Sequence, residues 1–254
     1  MIELERVGRR FGEVVAVHEL TLRVAPGELV ALVGGSGSGK TTTLKMVNRL
    51  VEPSHGVVRI AGRDVRTLRA PELRRRIGYC FQQIGLFPHL SVAENVAVVP
   101  ELLGWERARV RRRVAELLAL MELPPELARR RPAALSGGQQ QRVGIARALA
   151  GEPEVLLMDE PFGALDPLTR DTLQQRFQEI RQTLGITTLF VTHDLAEAVL
   201  LADRIAVLAG GRLLQLGTPR ELLRAPADPV VAQLVATPRR QARAVEALLG
   251  DARA

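Results

Sequence analysis

One eight-residue stretch constrains this chain more than any other: Gly34-Gly35-Ser36-Gly37-Ser38-Gly39-Lys40-Thr41. It matches GxxxxGK[ST] at every position. A short apolar run, Leu29 to Val33, precedes it. A segment with Leu44, Val47 and Leu50 on one helical face comes after it. The motif therefore sits between an expected buried strand and an expected helix, the context in which such a loop works. Its glycines let the backbone wrap phosphate groups with amide hydrogens pointing inward. Lys40 would reach the β- and γ-phosphates, and Thr41 would hold Mg²⁺. A merely flexible glycine loop is the competing reading, and eight positions in register with the right flanks outweigh it.

A second signal lies at Val155-Leu156-Leu157-Met158-Asp159-Glu160. Four apolar residues read as a buried strand whose end delivers two carboxylates. Asp159 is expected to bind Mg²⁺, directly or through water. Glu160 is expected to act as general base for an attacking water. Alone, the pair could be a helix cap or an exposed acidic turn. Beside a phosphate loop, the catalytic reading prevails.

Around these motifs the pattern alternates. Val14 to Val24 alternates apolar and polar residues, as a half-buried strand does. Val57 to Val65 reads as a hairpin around Ala61–Gly62, and Cys80 falls in a strand. Ser91 with Glu94 makes a capping box. Val110, Val114, Leu117, Leu118 and Met121 mark an amphipathic helix. Pro124, Pro125 and Pro132 punctuate the segment after that helix. Beyond residue 153 come a helix face (Leu173, Phe177, Ile180, Leu184) and a strand, Thr187 to Val191. A helix capped by Asp194, with Glu197 at the box position, comes next. Ile205 to Leu216 reads as a hairpin turning at Gly210–Gly211, and a helix opens at Thr218-Pro219-Arg220-Glu221. The expected architecture is an α/β core spanning residues 1–236, interrupted by a helical insert near 88–150, with a short helical tail over 237–254.

Composition closes several alternatives. With 46% hydrophobic and 25% charged residues among 254, wholesale disorder is excluded. The single cysteine, Cys80, excludes an internal disulfide and a cysteine-based zinc site, and is expected to be a buried, inert thiol. No apolar run is long enough to span a membrane. The N-terminus lacks a signal core, so the chain is expected in the cytoplasm. Aromatics at 3% argue against a base-stacking surface. The net charge of +7 rests almost wholly on arginine, since Lys40 and Lys45 are the only lysines among 35 basic residues. The arginine clusters at 74–76, 111–113 and 129–131 are dispersed and read as a solvated basic face, with a role near acidic lipid headgroups as the alternative.

Leu135-Ser136-Gly137-Gly138-Gln139 decides the family. With the phosphate loop and Asp159–Glu160, it makes residues 1–236 resemble the ATP-binding cassette ATPases that power ABC transporters. In isolation the pentapeptide is also a capped helix start, since Ser136 and Gln139 form a capping box. The resemblance implies a P-loop fold with an antiparallel β subdomain and a helical insert, ATP and Mg²⁺ as ligands, and a head-to-tail homodimer. It implies nucleotide contacts from residues 34–41 and Thr42. It further implies that Ser136, Gly137, Gly138 and Gln139 meet the γ-phosphate of ATP held by the opposite subunit. Phe11 falls where the family stacks an aromatic on adenine, with Val17 beneath the base. Gln82 takes the glutamine-loop position, sensing Mg²⁺ and water while linking to the membrane partner. Asp166, in Ala164-Leu165-Asp166, matches the loop that crosses the dimer interface. His193 matches the histidine that touches the γ-phosphate.

A finer resemblance rests on residues 46–50, 82–89, 99–105 and 139–142. These look like the importers of glycine betaine, proline, choline or carnitine, the osmoprotectant (quaternary amine) uptake systems. That implies separate membrane permease subunits, an extracellular solute-binding protein, no nucleic acid, and a peripheral place on the cytoplasmic face of the cell membrane. Only a short tail comes after the cassette in this sequence, so regulation through paired CBS domains is not expected. Trp105 is expected to pack within the insert, with a position facing the membrane partner as the alternative. The rival function is a soluble ABC-type ATPase acting on nucleic acid or the ribosome, whose usual coiled-coil or zinc insertions are not seen. A small-molecule P-loop kinase would explain Lys40 and Asp159 but neither Leu135–Gln139 nor His193.

Overall fold

Backbone pairing divides the strands between two sheets in the computed structural model, which describes residues 1–163, 165–236, 238 and 240. The first is antiparallel, in the order β2 (Val14–Val24), β1 (Ile2–Phe11), β4 (His55–Ile60), β5 (Arg63–Asp64). The second runs β10 (Arg212–Gly217), β9 (Arg204–Ala209), β3 (Leu29–Val33), β8 (Thr187–Thr192), β7 (Val155–Asp159), β6 (Ile77–Cys80). Its strands are parallel except β10, which returns antiparallel to β9.

The side-chain period of two splits the apolar runs of the central strands between two cores. On β3, Leu29, Ala31 and Val33 face one core, and Val30 and Leu32 face the other. On β7, Leu156 and Met158 join the first core, and Val155 and Leu157 the second. Both faces are covered, which is why these strands read as continuous apolar runs. The second core lies under the antiparallel sheet and takes Leu44, Met46 and Val47 of α1 (Lys40–Val47). The first core takes Leu173, Phe177 and Ile180 of α6 (Pro167–Leu184), and Leu195, Ala198 and Leu201 of α7 (Leu195–Leu201). Between β6 and β7 the chain leaves the sheet for α3 (Val92–Leu102), α4 (Arg107–Leu120) and α5 (Gly137–Leu149). These helices share the first core through Val96, Val114, Leu117 and Ile145.

Local capping defines the helix starts as the sequence indicates. Ser91, Ser136 and Thr218 each close a full capping box, the last opening α8 (Pro219–Arg224). Gly210 and Gly211 both adopt positive φ in the β9–β10 turn. Trp105 packs against the first core with the Arg109 guanidinium 3.5 Å over its ring. Cys80 is buried, and desolvation pushes its thiol up to about 12.

The structure also differs from the sequence reading. Leu50 is not on the α1 face: the helix ends at Val47 and Leu50 is exposed. Leu184 ends α6 with its side chain exposed rather than in the apolar face. Asp194 caps α7 by accepting from the backbone amides of Ala196 and Glu197, but the Glu197 carboxylate turns inward to accept from Gln174 Nε2 at 2.7 Å. Strand β1 and the short helix α2 (Ala70–Arg75) were not anticipated. The tail expected over 237–254 lies outside the described residues, apart from positions 238 and 240. Among the described residues, no helix is long and apolar enough to cross a membrane.

Gly78 on β6 lets α5 close on the sheet. A Cβ there would stand 2.4 Å from the Ala148 carbonyl oxygen and 2.8 Å from Leu156 Cδ1. A backbone carbonyl cannot yield as a side-chain tip can. Gly78→Ala should therefore cost about 1–3 kcal/mol, read as a lower midpoint in urea at unchanged slope. An unchanged midpoint would mean that α5 does not seat on β6 in solution.

Candidate functional site

In an open parallel sheet, ligands gather beyond the carboxyl ends of the strands. Here β3, β8, β7 and β6 are neighbours, and each hands a motif residue to that edge. Strand β3 leads into the glycine loop, β7 into Asp159 and Glu160, β8 into His193, and β6 into Gln82.

The glycine loop turns into α1 at Gly39, whose φ is 95°. A Cβ at Gly39 would meet the Ala16 carbonyl oxygen at 2.5 Å and Val17 Cγ2 at 3.1 Å. Val17 is fully buried and thus braces the loop from below. Positions 35 and 37 border open space, where a Cβ would meet nothing within 4 Å. No side chain caps α1, so its first amides remain available to an anion. Lys40 is 7% exposed, and its Nζ donates to the carbonyls of Gly34 and Gly35, each at 2.8 Å, and to Ser38 Oγ at 3.3 Å. Desolvation lowers the Lys40 pKa, against the pull of the Glu160 and Asp159 carboxylates. Ser36 is exposed at the rim, and Thr42 is half-buried beside Thr41.

Thr41 Oγ1 donates to Asp159 Oδ1 at 2.9 Å. Burial raises the Asp159 pKa, while the Thr41 hydrogen bond and the two lysines oppose that rise. One residue on, Glu160 has a φ of 47°, an uncommon value for a residue with a side chain. Its amide donates to the Val191 carbonyl at 2.9 Å, so the sheet itself holds the bend. Glu160 Oε2 then accepts from Gln82 Nε2 at 3.2 Å and lies 3.3 Å from His193 Nδ1. Behind this cluster, the Phe162 ring packs tilted against Phe177 and Phe190, with centroids 6.1 and 6.0 Å away.

The oxygen donors here are the Thr41 hydroxyl, the Asp159 carboxylate and the Gln82 amide. Such a hard-oxygen set fits Mg²⁺ better than a softer metal. No group of three or more His, Cys, Asp and Glu exists among the described residues.

Other expected residues stand apart. Phe11 is half-exposed at the end of β1, with the Arg9 guanidinium 4.3 Å over its ring. Ser136 and Gly137 are exposed at the start of α5, where Ser136 and Gln139 satisfy each other's amides. Gly138 packs on α6, since a Cβ there would meet Thr169 Cγ2 at 2.9 Å. Asp166 caps α6 by accepting from the Thr169 amide at 3.1 Å. Ala164 lies outside the described residues. Among the described residues, no hydrogen bond or ion pair joins Ser136, Gln139 or Asp166 to Lys40, Asp159 or Glu160. Ser136, Gln139 and Asp166 thus stand apart from the cluster at the sheet edge. Gln82 also borders a cleft of about 670 Å³ lined by Tyr79, Phe81, Phe87, Val98 and Arg147.

Sequence reasoning passed over Ser38 as a partner of the Lys40 ammonium. It also missed the Glu197–Gln174 pair buried behind the histidine loop. The serine sits inside the motif and was within reach; the pair joins helices whose packing no local pattern displays.

Comparison with known proteins identifies the family. Residues 17–163 match the family described as ABC transporter. The choline transport ATP-binding protein OpuBA of Bacillus subtilis is 50% identical over 236 residues, 92% of this chain but 62% of that protein. This chain thus spans about three fifths of that relative's length. The glycine betaine uptake system ATP-binding protein YehX of Escherichia coli is 53% identical over 233 residues, 92% of this chain and 76% of that protein. Among solved structures, a dimeric post-hydrolysis state of the ATP-binding cassette MJ0796 bound to ADP and Pi has a TM-score of 0.77 at 36% identity. That match covers 87% of this chain and 99% of the cassette. A family match across more than half the sequence, with relatives of this similarity and coverage, establishes that the chain belongs to the ABC transporter family.

Proposed function

We propose that two copies of this chain bind and hydrolyse ATP head to tail, driving a separate membrane permease that imports a quaternary amine such as glycine betaine or choline. One observation carries the reading: Lys40, Thr41, Gln82, Asp159, Glu160 and His193 converge on one sheet edge, while Ser136 and Asp166 stand exposed elsewhere. A second copy, turned about, supplies the missing half. The names of the relatives support transport over an ATPase acting on nucleic acid or the ribosome, and support the cargo class.

In this reading the amides of residues 35–41 and the Lys40 ammonium cradle the β- and γ-phosphates, with Phe11 at the base and the buried Val17 bracing the loop beneath rather than touching the base. The partner's α5 N-terminus, with Ser136, closes on the γ-phosphate from the other side. Mg²⁺, when bound, supplies positive charge against the phosphate oxygens. Thr41, Asp159 and Gln82 are the residues that would hold it. Glu160 takes the proton of the attacking water, and His193 supports the charge that develops on the transferring group. Gln82 joins this chemistry to the cleft beside it, where a permease segment docks. The chain then works at the cytoplasmic membrane face without crossing the bilayer.

The whole reading is tested by purifying the chain from membranes. Permease subunits should accompany it, and the solute-binding protein that works with them should bind glycine betaine or choline. Ribosomes or nucleic acid in their place would overturn the transport reading, and a sugar-specific binding protein would overturn the cargo.

Glu160→Gln removes the base but keeps shape and hydrogen bonding, so hydrolysis should fall by about 10²–10⁴-fold with ATP binding nearly intact. The variant should be monomeric alone and a stable dimer in ATP by size-exclusion chromatography. Adding Ser136→Arg should return it to monomer. A Glu160→Gln protein that binds ATP yet stays monomeric would count against the sandwich.

Asp159 also predicts a stability change. Its folded pKa lies above the ordinary 3.8. Such a carboxyl loses stabilisation as pH rises from the unfolded value through the folded one, because the unfolded chain releases its proton first. The penalty grows as pH rises above the unfolded value toward the folded one. Nucleotide-free Asp159→Asn should therefore melt a few degrees above wild type at pH 7, with the gap closing toward pH 4. Added ATP and Mg²⁺ should raise the melting temperature of wild type more than that of the variant. A variant that melts below wild type at pH 7 would refute the burial penalty.

A further inference from the structure

Arg147 is a buried arginine without a carboxylate. It is 7% exposed, and desolvation lowers its pKa. Among the described residues it enters no ion pair, although a buried guanidinium ordinarily has an anion beside it. Instead, both arms of the fork donate to consecutive carbonyls on the loop after Gln82. One bond runs to Gly85 O at 2.7 Å, the other to Ile84 O at 2.8 Å. The same helix, α5, grips that loop a second time. Gly144 interrupts the helix interior at a cost of about 1 kcal/mol relative to alanine. A Cβ there would stand 3.0 Å from Ile84 Cγ2. The missing side chain is what lets Ile84 seat on α5.

The other end of the loop is held from α3. Asn95 is fully buried; its Oδ1 accepts from the Phe87 amide at 2.8 Å. Its Nδ2 donates to the carbonyls of Phe87, Leu90 and Ser91 at 2.9–3.2 Å. Residues 84–91 are thus fastened by side chains of the helical insert, from α5 and α3. Gln82 is fastened to Glu160 of the sheet edge instead. The division between the two sets of bonds falls at Gln83.

We propose that Arg147, with Asn95, makes residues 84–91 part of the helical insert, so that force applied to Phe87 on the rim of the cleft reaches Ser136 through α5. Resting on the proposed permease docking, this makes Arg147 a positioning residue: it touches neither nucleotide nor water. Two carbonyls of the loop lead by one rigid fork to the helix whose first residues face the other copy's ATP. Among the described residues, the Gln82–Glu160 hydrogen bond is what tethers this loop to the site.

The test uses the full chain. Arg147→Met keeps length and volume but removes the fork. It also removes a buried charge, and Gly85 is exposed, so water can satisfy its carbonyl and the fold should survive. Without nucleotide, hydrogen exchange over residues 83–90 should quicken roughly tenfold, with β3, β7 and β8 unchanged. The kcat for ATP should fall roughly tenfold at unchanged KM, because the phosphate loop is untouched while the placement of Gln82 and Ser136 is not. Arg147→Lys, which keeps the charge but cannot bond two carbonyls in parallel, should fall between Met and wild type. Unchanged exchange over 83–90 in folded Arg147→Met, or a raised KM with intact kcat, would overturn the proposal. If Arg147→Met does not fold, Arg147→Lys decides alone, and wild-type exchange and kcat in that variant would overturn it. Absence of ATPase activity in wild type would instead defeat the functional reading, and the exchange measurement would still judge the clamp.

Discussion

The site depends on the register of four neighbouring parallel strands. Val33 pairs with Thr192, Asp159 with Val191, and Cys80 with Met158. The ends of β3, β8, β7 and β6 therefore each fall within about one residue of the neighbouring strand's end. Each loop begins at the same edge. A slip of one residue would turn every side chain of the slipped strand to its other face and exchange the two cores. The apolar faces on both sides forbid that slip. Core packing thus fixes where Asp159, Glu160, His193 and Gln82 emerge, although none of them contributes to the core.

Electrostatics then decides what this edge favours. An ammonium, two carboxylates and an imidazole lie within a few hydrogen bonds of each other. Lys40 is held by carbonyls of its own loop, and Asp159 is buried beside a threonine hydroxyl. Desolvation works against the charged form of each, lowering the Lys40 pKa and raising that of Asp159. A phosphate-bound cation would relieve the carboxylate, and phosphate oxygens would relieve the lysine. The backbone bend at Glu160 serves the same end: the sheet holds a residue in an uncommon conformation so that its carboxylate meets both Gln82 and His193.

The separation of Ser136 from this edge comes from the insertion of helices between β6 and β7. The chain leaves the sheet after Cys80 and returns at Val155. Helix α5 ends against β6 while its start points away. A helix of 13 residues is about 20 Å long, so its two ends serve different surfaces. The C-terminal part joins the core and holds the loop after Gln82. The N-terminal part presents amides and a serine to whatever lies outside.

The sequence by itself determined the phosphate loop, the carboxylate pair, the capping boxes at Ser91, Ser136 and Thr218, and the apolar runs of β3, β7 and β8. Each is a local pattern, set by backbone geometry or by a period of two or 3.6 within a few residues. Tertiary structure alone decided the rest. Strand β1 is edged with charged residues and shows its role only when paired with β2 and β4. Glu197 looked like half of a capping box until α6 placed Gln174 beside it. Leu50 fitted the helical period, but the chain had already left the helix at Asn48. Arg147 resembles any other arginine in an arginine-rich chain, and its partners lie more than sixty residues away in sequence. Periodicity reports which face of an element is apolar. Which polar group meets which across the fold is settled only when desolvation forces each buried donor to find an acceptor.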